Sequence, residues 1–205
     1  MVKLAAKCIV AGDSTVGKTA LVQMFCNDGA HFQKNYTLTA GVEVLIKTVP
    51  IPETSDSVEL FLFDSAGKEL FSEMLEKLWE QPNALCIVYD VTNEQSFSNC
   101  VKWLERLRAQ TSGMHIPGVL VGNKIDLTER RVVEQKQAQE WAETNGLEYC
   151  EIKRWRTMKL LFMLWQNPSI ECTKREWKLF THLCEVLSIL CLVCFFSLNL
   201  KIIRC

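Results

Sequence analysis

A chain of 205 residues, 48% of them apolar, is long enough for one well-buried domain with some sequence to spare. Its formal net charge of −1 excludes the strongly basic surface that counterion-driven binding to nucleic acid requires, so no nucleic-acid partner is expected. The near-neutral total hides an asymmetry: residues 1–151 carry 14 basic and 21 acidic side chains, whereas residues 152–205 carry 9 and 3.

The first ten residues lack a basic segment followed by a long apolar run and a small-residue cleavage site, which reads as a cytoplasmic chain. Its cysteines are then expected to stay reduced, with Cys8, Cys86 and Cys100 acting as small core hydrophobes. Residues 3–10 (KLAAKCIV) form a short apolar run that predicts a strand, and residues 18–27 carry a helical pattern. Between them, Gly12-Asp13-Ser14-Thr15-Val16-Gly17-Lys18-Thr19 fits G-x-x-x-x-G-K-[ST]. Backbone amides in such a loop wrap phosphate oxygens, aided by the positive end of the following helix. Lys18 is placed to reach the β- and γ-phosphates, and the Thr19 hydroxyl to bind Mg²⁺.

Residues 42–49 and 57–63 read as two strands, and the intervening PIPETSDS supplies the turn chemistry of an antiparallel hairpin. Asp64-Ser65-Ala66-Gly67 follows directly, so Asp64 emerges at the carboxyl edge of the sheet, where open α/β folds bind ligands. Its carboxylate can join a Mg²⁺ shell, usually through water, and Gly67 lets a backbone amide approach a γ-phosphate. Residues 70–80 predict a helix, 84–89 a buried strand, 94–110 a long amphipathic helix and 117–121 another strand. Just beyond that strand lies Asn123-Lys124-Ile125-Asp126. A carboxylate such as Asp126 accepts two hydrogen bonds from the N1–H and exocyclic amine of guanine, whereas adenine would leave it unpaired. Residues 134–144 predict a helix closed by Asn145-Gly146, and 147–150 begin a last strand. Strands alternating with helices imply an α/β fold with a mostly parallel sheet covered on both faces.

These three motifs, in this order and these strand contexts, resemble the Ras superfamily of small GTPases over about residues 4–151, with the Rab branch the nearest in pattern. TAGVEV at 39–44, DSAGKEL at 64–70 and LWEQPNA at 78–84 look like the Rab-like GTPase subunits of the ciliary intraflagellar transport complex. The resemblance implies a P-loop NTPase fold with a six-stranded sheet, and GTP or GDP with Mg²⁺ as cofactors. It assigns nucleotide contacts to the loop Gly12 through Thr19 together with Ala20, Asp64, Gly67, Asn123, Lys124 and Asp126. It assigns magnesium to Thr19, Thr39 and Asp64, with the Thr39 amide also meeting the γ-phosphate. Phe32 would pack edge-on to guanine. Thr39 also reads as an ordinary residue before a strand, and Phe32 as a core anchor. The implied partners are protein subunits of an intraflagellar transport complex, one of them in a heterodimer, and the implied localisation is cytoplasmic and ciliary.

In the family, glutamine commonly follows D-x-x-G and orients the attacking water. Here that position is Lys68. An ammonium has three donors and no acceptor, so Lys68 is expected to be a poor catalytic residue and hydrolysis slow. A solvated lysine of no consequence, with a partner supplying the missing group, is the other reading of this position.

After the last strand the family places a Ser-Ala-Lys-like loop and a closing amphipathic helix, but this chain reads Cys150-Glu151-Ile152-Lys153-Arg154-Trp155. The expectation is a GTPase domain at 1–151 and a divergent hydrophobic tail at 152–205. In that tail Met158, Leu161, Phe162 and Trp165 fall at helical spacing. Its most apolar run, 186–200, is shorter than the ~20 residues that cross a bilayer, so membrane contact through it is not the favoured reading. Burial against the sheet and an aggregation-prone tail are the others. Cys205 is terminal, so no C-a-a-X prenylation motif is present. Three readings of function follow. They are a guanine-nucleotide switch of at most slow GTPase activity within intraflagellar transport, an actively cycling Rab-type GTPase of vesicle traffic, and a variant chain with impaired nucleotide binding.

Overall fold

The computed structural model describes residues 3–27, 38–50, 57–111 and 116–152. Six strands form one sheet in the order β2-β3-β1-β4-β5-β6. They are β1 (Lys3–Ala11), β2 (Val42–Pro50), β3 (Ser57–Ser65), β4 (Ala84–Asp90), β5 (Gly118–Asn123) and β6 (Glu148–Ile152). Only β2 runs antiparallel to its neighbour, as the hairpin chemistry predicts; every other pairing is parallel. The turn itself, residues 51–56, lies outside the described residues, as do Phe32, His31, His115 and the whole of 153–205.

The helices are α1 (Lys18–Cys26), α2 (Ser72–Leu78), α3 (Glu94–Ser98), α4 (Cys100–Ala109) and α5 (Gln135–Thr144). Two cores result, one on each face of the sheet. On the larger, Leu75, Trp79, Phe97, Trp103, Leu107, Ala138 and Ala142 from α2 to α5 and their flanks pack on Ile9, Ile87, Tyr89 and Leu120. On the other, Val22 and its neighbours Leu21 and Phe25 in α1 pack with Cys8, Val10, Leu60 and Leu62. All seven residues of β4 are buried, because a central parallel strand lies between both layers; its sequence, ALCIVYD, is accordingly apolar without alternation.

One helix differs from the sequence pattern. The periodicity at 70–80 resolves into a 3₁₀ turn at Glu69–Phe71 followed by α2. The helix expected at 94–110 runs as α3 and α4 joined through Asn99, which keeps right-handed helical φ and ψ, donates its amide to Gln95 and accepts from the Trp103 amide, while its side chain donates to Asp13 Oδ2 at 2.7 Å. Asn93 caps α3 by accepting from the Ser96 amide at 3.3 Å. At the far end of α5, Gly146 takes φ of 61° while its amide and that of Leu147 donate back to Glu143 and Ala142, as the Asn-Gly signal predicts. Cys8, Cys86 and Cys100 are all buried, and burial pushes the Cys86 thiol well up, consistent with their reading as apolar filler.

Trp79 ties α2 to the sheet. It is fully buried, its indole Nε1 donates to the buried Ser65 Oγ at 2.9 Å, and its ring meets Trp103 edge-on at 6.2 Å. Trp79→Phe removes volume and leaves the Ser65 hydroxyl without its donor, so unfolding followed by circular dichroism in urea should show a loss of about 2–4 kcal/mol. A loss below about 0.5 kcal/mol would show that the site relaxes around the smaller ring.

Candidate functional site

The parallel register of β1 and β3 sets Val10 opposite Asp64, so the loop leaving β1 and the segment leaving β3 emerge side by side at the carboxyl edge. Their contact is closer than side chains permit. A Cβ on Gly67 would lie 2.3 Å from the Ser14 amide nitrogen, and one on Gly12, whose φ is 142°, would lie 2.1 Å from the Val88 carbonyl oxygen. Gly17 starts α1 with φ of 99°. Thr15, exposed at the loop's apex, takes φ of 64°, a left-handed conformation that costs a β-branched residue about 1–2 kcal/mol.

Lys18 is 6% exposed, and its ammonium donates to the Gly12 and Asp13 carbonyls at 2.8 and 2.7 Å. Burial lowers its pKa to about 8, with the charges of Asp64 and Asp13 opposing that shift. Thr19 Oγ1 lies 2.5 Å from Asp64 Oδ2, as donor, and 3.0 Å from Thr39 Oγ1. Asp64 is fully buried and its Oδ1 has no hydrogen-bond partner. Burial raises its carboxyl pKa, and the Thr19 hydrogen bond and the Lys18 charge act against it. Ser14 Oγ is likewise buried and unpartnered. A carboxylate and two hydroxyls converge, one carboxylate oxygen lacks a partner, and a buried ammonium stands next to them. These are hard oxygen donors for a small divalent cation beside a cationic group for its anionic ligand, so the residues fit Mg²⁺ with phosphate.

Asn123 bridges this loop to the Asn123-Lys124-Ile125-Asp126 segment: its Nδ2 donates to the Val16 carbonyl at 2.8 Å and its Oδ1 accepts from the Lys124 amide at 2.8 Å. Lys124 takes φ of 65°, and its ammonium lies 2.6 Å from Asp90 Oδ2. Asp126 is exposed. Lys68 is also exposed, just past Gly67. Ala20 sits half-buried in the first turn of α1. The structure thus gathers Thr19, Thr39 and Asp64 into direct contact and links the phosphate loop to Asn123, while Phe32 lies outside the described residues.

Sequence reasoning missed how Asp13 is held. Its two carboxylate oxygens accept from Trp103 Nε1 and Asn99 Nδ2, each at 2.7 Å, so the α3–α4 junction pins the loop from behind. It also missed Asp90, whose Oδ1 accepts from the Thr92 amide and hydroxyl while Oδ2 meets Lys124. The Asp13 partners and Lys124 lie 34 to 90 residues from the carboxylates they meet and leave no local pattern in a sequence.

The model of the Ras family matches residues 7–162. The intraflagellar transport protein 27 homolog of Bos taurus is 73% identical over 151 residues, covering 74% of this chain and 81% of that protein. Intraflagellar transport protein 27 of Chlamydomonas reinhardtii is 41% identical over 152 residues, covering 73% and 74%. Human Ras-related protein Rab-30 is 39% identical over 145 residues, covering 71% and 69%.

The Asp90 carboxyl is pushed up by burial but more strongly down by hydrogen bonds from Lys124 and Thr92, so its net pKa is lowered. A lowered carboxylate pKa contributes stability above its unfolded value, near pH 4, and loses it as pH falls through the folded value. Asp90→Asn should therefore cost about 1 kcal/mol at pH 7, allowing for the partly exposed Lys124. That gap should narrow at pH 3.5. Urea titrations of both proteins at the two pH values check this, and an unchanged gap would exclude the ionised carboxylate as its source.

Proposed function

The chain belongs to the Ras family, and from that premise we propose that it is a guanine-nucleotide switch that holds GTP or GDP with Mg²⁺, turns it over slowly, and serves as a small-GTPase-like subunit of intraflagellar transport. The observation that carries the nucleotide reading is the convergence of Thr19, Thr39 and Asp64 around an unpartnered buried carboxylate oxygen next to Lys18. The transport reading is supported by the shared name of relatives 73% and 41% identical in Bos taurus and Chlamydomonas reinhardtii. On that reading the chain works in the cytoplasm and cilium, in a heterodimer with another protein subunit. Residues 1–151 form the nucleotide domain.

Bound Mg²⁺ would neutralise phosphate charge and brace the two loops that meet there. The chain's own groups would do the rest. The Gly12 to Thr19 backbone wraps phosphate oxygens, and Lys18, held dry by two carbonyls, exchanges those partners for phosphate. Thr19, Thr39 and Asp64 supply oxygens to the cation, and Gly67 brings its amide alongside. Asn123 and Lys124 fix the base loop, from which Asp126 accepts the two guanine donors. Lys68 offers donors only, so it cannot draw a proton from an attacking water.

Purified full chain, kept in Mg²⁺, then denatured and chromatographed, should release guanine nucleotide at close to one per chain, with a substantial share as GTP. An empty protein would overturn the nucleotide reading, and GDP alone would overturn slow turnover. Lys68→Gln should raise single-turnover hydrolysis by on the order of tenfold. A rate no faster than the parent's would show that Lys68 is not what limits hydrolysis.

A further inference from the structure

The loop that carries Asp126 leaves β5 at Asn123 and returns at Val132. Both ends close on one backbone position: the Val91 amide donates to the Asn123 carbonyl at 3.1 Å, and the Val91 carbonyl accepts from the Val132 and Val133 amides at 3.0 and 3.1 Å. Inside the loop the bonds are short-range turns, from Leu127 to Lys124 and from Arg130 to Leu127. Asp126 is exposed, and among the described residues no hydrogen bond fixes its side chain.

A second tie reaches across to β6. Arg131 Nη1 and Nη2 donate to Glu151 Oε1 and Oε2, each at 2.9 Å, and Nη1 also donates to the Val133 carbonyl at 3.0 Å. Tyr149 donates its hydroxyl to Glu151 Oε1 at 2.6 Å and stands 3.2 Å from the Tyr89 hydroxyl in the core. The side chains of Arg131 and Glu151 are 19% and 9% exposed, so this is a fork-to-fork pair largely removed from water. Glu151 sits opposite Gly122 in the β5–β6 pairing, where a Cβ would lie 2.8 Å from the Tyr89 hydroxyl; glycine leaves room for the network.

We propose that the Arg131–Glu151 pair is a positioning device for base selection: it fixes the far end of the loop to β6 so that both oxygens of Asp126 can be aimed at guanine. The inference rests on Asp126 reading the base. A guanidinium fork sets angle as well as distance, which a lysine would not do.

Hypoxanthine keeps the ring N1–H and lacks the exocyclic amine, so the GDP-to-IDP ratio reports on the second Asp126 bond. The experiment measures dissociation of GDP and IDP from the full chain and from the double variant Arg131→Gln with Glu151→Gln, which leaves no lone charge buried. Arg131→Lys is the milder second variant, and thermal melts accompany both. The expected result is that GDP leaves the double variant about tenfold faster with IDP little changed, the size of one lost hydrogen bond at about 1.4 kcal/mol per decade. Arg131→Lys should fall between. If both nucleotides accelerate by the same factor, the pair only stabilises the fold and the positioning role is overturned. If the parent chain itself holds GDP and IDP equally, the base reading of Asp126 fails, and the positioning role with it. If the double variant does not fold, the ratio in Arg131→Lys decides by the same criterion.

Discussion

The alignment of β1 with β3 is the constraint from which the site follows. With Val10 opposite Asp64, the strand that launches the phosphate loop and the strand that ends in the acidic motif finish at the same height. Only then can Thr19, in the first turn of α1, come within 2.5 Å of Asp64, and Gly67 come against Ser14. A slip of one residue would shift Asp64 by about 3.3 Å and turn its side chain to the other face. The register is held on both sides: β3 pairs along its whole length with β2, and β1 pairs with the fully buried β4. The antiparallel hairpin thus does more than add an edge strand. It fixes the position at which Asp64 leaves the sheet.

That geometry puts two opposite charges where water is scarce. Lys18 and Asp64 are each disfavoured by burial, and they compensate one another only in part, since Lys18 is held by carbonyls and one Asp64 oxygen has no partner. Such a site gains from a ligand carrying both signs, a cation for the carboxylate and an anion for the ammonium. The left-handed Thr15 adds strain at the same loop. Fold and ligand are therefore coupled: the buried charges that cost the domain stability are the ones that a magnesium–phosphate ligand would compensate.

Sequence patterns revealed those parts of this arrangement that depend on local chemistry. The strands, their order of appearance and the hairpin follow from apolar runs and turn residues. The G-x-x-x-x-G-K-T loop carries its own geometry, so Gly12, Gly17, Lys18 and Thr19 could be named from spacing. The clasp of Asp13 by Asn99 and Trp103 could not, because it joins residues 86 and 90 positions apart and the motif that contains Asp13 leaves its side chain unspecified. The same holds for Arg131 and Glu151, which no sequence spacing links and which meet only once β5 and β6 lie side by side. The contact that Asn99 makes from within its helix escaped for a related reason. The amphipathic period runs on through Asn99, and its partner, Asp13, lies on a distant loop.

The groups assembled here differ in how firmly they are held, and the difference bears on what the proposed switch could do. Those that would retain a nucleotide are buried or cross-braced: Lys18 by two carbonyls, Asn123 by Val16, Lys124 by Asp90, and the far end of the base loop by Glu151. The residue at the position that would promote hydrolysis, Lys68, is exposed and carries donors alone. Positioning is what accelerates phosphoryl transfer, so a site braced for holding and unbraced for attack favours long residence over turnover. In a chain of this kind the nucleotide would serve the fold and its assembly, by stabilising the loops it joins, more than it would serve as a timer set by its own cleavage.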